Sequence, residues 1–150
     1  MPEIRFYHLQ KQKVDAALPG LLKKALDGDY KILVHAPDAA SVKTLDKHLW
    51  TYHPDSFLPH GSGKDEHPEK QPIWLSDTRE APNSPNLLVE LDALDLDTLN
   101  GYELICLMFE DWQEERVKAA RTAWKSLKNS GDYTLSYWQQ TDTGGWEKKQ

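Results

Sequence analysis

A single cysteine, Cys106, in 150 residues leaves no partner for an internal disulfide and too few thiolates for a cysteine-built metal cage. It fits a reducing compartment, and the cytoplasm is the expected location. Long apolar runs are also missing. Nothing approaches the roughly 20 residues of a membrane-spanning helix, and the opening MPEIRFYHLQ lacks the basic leader and apolar core of an export signal. Positive charge is in short supply: 18 Lys and Arg stand against 24 Asp and Glu, a formal net charge of −6. That balance repels phosphate backbones and argues against direct nucleic-acid binding, although a local basic stripe still has room to attract an acidic partner. No GxGxxG follows the first apolar run, so the dinucleotide fingerprint is absent.

What is present alternates. Ile4 to Leu9 (IRFYHL) reads as a strand, and Val14 to Leu26 carries apolar residues at helical spacing, with Pro19 either kinking that helix or standing near its true start. KILVHA at 31–36 reads as a strand buried on both faces, and Ala39 to Trp50 as a second helix. PIWL at 72–75 and LLVEL at 87–91 are further strands. YELICLMF at 102–109 is one too, though its length also allows a helix. Gln113 to Ser130, ended by Gly131, is the clearest helix, and YTLSYW at 133–138 is the last strand. This order predicts a single α/β domain over 1–140, a three-layer sandwich with a mostly parallel sheet, followed by a tail at 141–150 expected to be mobile.

Two loops carry candidate chemistry. GSGK at 61–64 has the end of a phosphate-binding loop but not its first glycine or its closing hydroxyl: Leu58 and Asp65 stand there. A solvated loop accounts for it, and a nucleotide-binding α/β domain remains an alternative. His53, Asp55, His60 and His67 are a cluster able to hold a metal, and a small metal-dependent hydrolase is the other alternative. Their spacings match no helix-borne or strand-borne ligand pair, and ordinary surface hydrogen bonds explain them as well. Cys106, inside an apolar run, reads as a small core residue.

The last helix says more. Val117, Ala120, Trp124 and Leu127 form an apolar stripe, and Lys118, Arg121, Lys125 and Lys128 repeat the spacing one residue on. Residues 116–131 hold five cations and no acid in a chain of negative net charge. A solvated face with dipole-matched charges explains part of this, and a groove for an acidic peptide with apolar anchors explains the rest. In the middle of the chain, LWTYHPDSFLPHG at 49–61 sets aromatics among prolines, and those rings must face a core, a ligand or a partner.

RFYHL, LDKHLWTYHPDSFLPHG and AARTAWKSLKNSGDYTLSYWQQ together resemble the chi subunit of bacterial DNA polymerase III holoenzyme, in the same order from about residue 3 to 140. The resemblance implies a doubly wound, Rossmann-like fold without a phosphate-binding loop, no intrinsic catalysis, and no cofactor or metal. It also implies a role as an accessory protein linking the clamp loader, through the partner psi, to the acidic C-terminal tail of single-stranded-DNA-binding protein. The family's arginine, aromatic and lysine in the tail site match Arg121, Trp124 and Lys125. A further basic position falls on Val117, so Lys118 or Arg116 serves in its place, with Lys128 extending the stripe. The region matching the psi surface holds Trp50, Phe57, Leu58, Pro59 and His60, for which completion of the core is the competing reading.

Overall fold

A computed structural model describes residues 2–51, 62, 68–143 and 145–150. Among them, seven strands form one sheet: β1 (Glu3–Leu9), β2 (Ile32–His35), β3 (Ile73–Ser76), β4 (Leu87–Glu90), β5 (Leu104–Glu110), β6 (Thr134–Gln140) and β7 (Trp146–Lys148). Their spatial order is β3-β2-β4-β5-β1-β6-β7, with every pairing parallel except β6 with β7. Three helices, α1 (Val14–Asp27), α2 (Ala39–Thr51) and α3 (Glu114–Ser130), complete a three-layer sandwich.

The layers follow from which side chains each strand sends to which face. Along β5, Leu104, Cys106 and Met108 join the core beneath α1 and α2, while Ile105, Leu107 and Phe109 join the core beneath α3. Two-sided burial is why this run is continuously apolar, and why it is a strand and not a helix. Val117, Ala120, Ala123 and Leu127 seat α3 on its face. Gly131, at φ 71°, ends that helix in the left-handed conformation, and its N–H bonds the Leu127 carbonyl.

Two details differ from the sequence reading, and the strand order is one it did not address. Pro19 neither starts nor ends α1, which runs through it from Val14; the ring is buried, and only the hydrogen bond to the Asp15 carbonyl is forgone. Strands β4 and β5 lie between β1 and β2, so the first crossover spans two strands. Beyond residue 140, Trp146–Lys148 returns antiparallel along β6, with Thr141 N bonded to Gly145 O across the turn.

Candidate functional site

The face of α3 turned from the sheet is built by spacing alone. Residues at i, i+3, i+7 and i+10 share a side of a helix, and Lys118, Arg121, Lys125 and Lys128 are all exposed on it. None of the four makes an ion pair among the described residues. Glu114 and Glu115 sit in the first turn and Lys128 in the last, the arrangement the helix dipole favours. Arg116 stands apart from this stripe: Nη1 donates to the Leu91 carbonyl and Nη2 lies 3.6 Å from Asp92 Oδ1, at the end of β4.

Trp124 borders the stripe and is half-buried. Its ring meets Phe6 edge to face, with centroids 5.2 Å apart, and Tyr137 likewise at 5.8 Å. Tyr137 stacks on Phe6 at 6.2 Å. Its hydroxyl lies 2.8 Å from His8 Nδ1, and His8 Nε2 is 2.7 Å from Asp111 Oδ1. In the neutral imidazole, Nε2–H donates to the carboxylate and Nδ1 accepts the phenol proton. Burial raises the Tyr137 hydroxyl above its ordinary pKa, with the positive charge of Arg121 acting against it. Tyr137, His8 and Asp111 thus form a hydrogen-bonded chain that runs from beside Trp124 to a carboxylate that is 53% exposed. Beside it Trp112 is 51% exposed, an indole the core does not use.

The crevice at the carboxyl ends of the strands is where doubly wound folds take their ligands. Here it measures about 510 Å³ and is bordered by the starts of α1 and α2. Both starts already face carboxylates of the chain: Glu110 accepts from Val14 N at 3.4 Å, and Asp38 from Ser41 N at 2.7 Å. The Ser41 bonds hold the Asp38 carboxyl below its ordinary pKa, whereas burial raises that of Glu110. On the α3 side, Glu90 is 0% exposed and accepts from His35 Nδ1, from Arg79 Nη2 at 2.8 Å and from Asp92 N at 3.3 Å. This buried network ties β2, β4 and the segment after β3 together. Burial pushes the Cys106 thiol up to about 12, which keeps it protonated and a poor nucleophile at neutral pH.

Phe57, Leu58, Pro59 and His60 lie outside the described residues, as do His53, Asp55 and His67. Trp50 is placed in the last turn of α2, with its side chain outside the description. Among the described residues, no group of three or more His, Cys, Asp or Glu could hold a metal ion, and no helix is long and apolar enough to cross a membrane.

Residues 1–135 match the family described as DNA polymerase III chi subunit, HolC. A protein of Rickettsia prowazekii (strain Madrid E), named a probable DNA polymerase III subunit chi, is 32% identical over 96 residues, covering 64% of this chain and 58% of the relative. The chain therefore spans somewhat over half the length of that curated relative. The family match runs from the first residue through all three helices and into β6, and the chain belongs to the DNA polymerase III chi subunit family.

Proposed function

We propose that the chain is a non-catalytic adaptor of bacterial DNA replication, joining the clamp loader, through psi, to the acidic C-terminal tail of single-stranded-DNA-binding protein. The observation that carries this reading is the outer face of α3, where Lys118, Arg121, Lys125 and Lys128 are exposed beside the half-buried Trp124. Arg121 and Lys125 pair with the tail's carboxylates, and the edge of Trp124 receives its apolar end. Lys118 and Lys128 lengthen the positive track. Membership of the chi family supports the setting. The psi contact falls to the segment from Trp50 to His60, whose proline-set aromatics suit the burial of a partner with little ordering cost.

Calorimetric titration with a synthetic acidic tail peptide tests the reading. Arg121→Ala should cost about 2 kcal/mol, a loss of roughly 30-fold. Raising salt from low to moderate levels should weaken binding several-fold while leaving the apolar share in place. Unchanged affinity in folded Arg121→Ala, or an isotherm flat across that salt range, overturns it.

A further inference from the structure

The helical cover of the sheet is incomplete. Over β1 and β6, α3 covers one face, but on the other face α1 lies toward β5 and none of the three described helices lies over β6 and β7. What remains there is a groove of about 580 Å³ between α1 and the terminal hairpin, floored by β5, β1 and β6. On its floor the ring of Tyr7 stacks on Trp138 with centroids 6.3 Å apart, and it meets Trp146 of β7 edge to face at 5.0 Å. Both indoles are half-buried, each with area left for a planar group to cover. The α1 wall is held back by small residues, Ala16 and Gly20; a Cβ added at Gly20 would meet nothing within 4 Å.

The charge of this groove is opposite to that of the chain. Among the described residues, Arg5 and Lys24 line it and no carboxylate does; Glu3, outside the lining, accepts from Arg5 Nε at 2.9 Å and Nη2 at 3.2 Å, which leaves Lys24 as the unpaired positive charge. That pairing fixes the guanidinium plane in advance. Lys24 is exposed and makes no ion pair among the described residues. Aromatic faces beside fixed cations are the pairing that holds a base and its phosphate, and the volume lies in the range of small-ligand sites. We propose that this groove binds a nucleotide, free or as one residue of a single strand, with its base against Trp146 and its phosphate toward Lys24 and Arg5. The site is independent of the α3 stripe, on the opposite face of the sheet. The net charge of −6 argues against nucleic acid only as a sum over the chain, whereas the groove acts locally.

Tryptophan fluorescence with a mononucleotide, dTMP, and with a short oligothymidylate tests this. Saturable quenching should appear with at least one of them. Similar affinity for both assigns the site to free nucleotide, and clearly tighter binding of the oligomer assigns it to a strand. Gly20→Leu fills the groove from an exposed helical position and favours the helix, so it should lower affinity about tenfold or more without lowering the melting temperature. Lys24→Glu, which leaves the packing alone, should do the same. Failure of both ligands to saturate up to millimolar concentration, or quenching that survives both substitutions, overturns the proposal.

Discussion

Trp124 meets the buried ring of Phe6 edge to face, with centroids 5.2 Å apart and planes 81° to one another. The aromatic of α3 that borders the cationic face is therefore also a wall of the core. The two roles separate under substitution.

Trp124→Ala should lower stability by about 3 kcal/mol, toward the lower end of what deleting a core aromatic costs because one edge is already in water, and should weaken the acidic peptide as well. Lys125→Ala should weaken the peptide and leave the melt unchanged. Melting curves and titrations on both variants decide it; a Trp124→Ala protein as stable as the parent removes the ring from the core.

Glu90 is a carboxylate with no access to water, held by His35 and Arg79. Glu90→Ala strands both partners and should cost about 3 to 5 kcal/mol, with peptide binding by α3 retained in the folded fraction. Urea denaturation measures the cost. A loss below about 1 kcal/mol would show that the network carries no such weight.

The response to alkali follows from groups that burial keeps protonated. The Cys106 thiol is pushed up to about 12, and the Tyr7, Tyr102 and Tyr137 hydroxyls are raised, each chiefly by burial. Each folded pKa lies above its unfolded value, so the folded chain binds more protons in the alkaline window. The contribution is full below the unfolded values, and is lost as pH rises through the folded ones. Melting temperature should fall from about pH 9 upward, and Cys106→Ala should move that onset up by about one unit, into the range where phenols ionise. Coincident onsets in the two proteins would rule out the thiol as the first group to act.

Phe57→Ala separates docking from core. As part of a psi surface it should abolish capture of psi while sparing both the melt and tail-peptide binding. As a core ring it should cost roughly 3 to 5 kcal/mol and harm both activities. An intact melt with both interactions preserved leaves neither role standing.

The sequence reading reached the elements whose signal is local. KILVHA, LLVEL and YELICLMF are apolar on both faces because both sides of β2, β4 and β5 are covered, with α3 over β5 and Ala81, Leu94, Leu99 and Tyr102 packed against the same core, and the cations of α3 repeat at helical spacing on a single element. Tyr137, His8 and Asp111 escaped it because three separate segments bring them together, with Tyr137 and His8 129 residues apart. His35 and Glu90 show in the sequence only as single polar residues in the next-to-last position of apolar runs, and their pairing depends on the β2–β4 register. WEK of β7 is too short for any periodicity to register. Nor does the order of elements along the chain reveal that β4 and β5 come between β1 and β2.

That strand order bears on how the chain is made. β1 leaves the ribosome before the other strands of this sheet, and its neighbours are β5 and β6, whose residues begin at Leu104 and Thr134. The nascent chain therefore holds an apolar strand with both edges unpaired until about two-thirds of the sequence has emerged, and cannot close its sheet until β6 follows. Loop closure over such separations is slow, and an unpaired strand is open to the wrong partners while it waits. Folding should be late and nearly all-or-none during synthesis, with β1 the segment most in need of protection from a holdase.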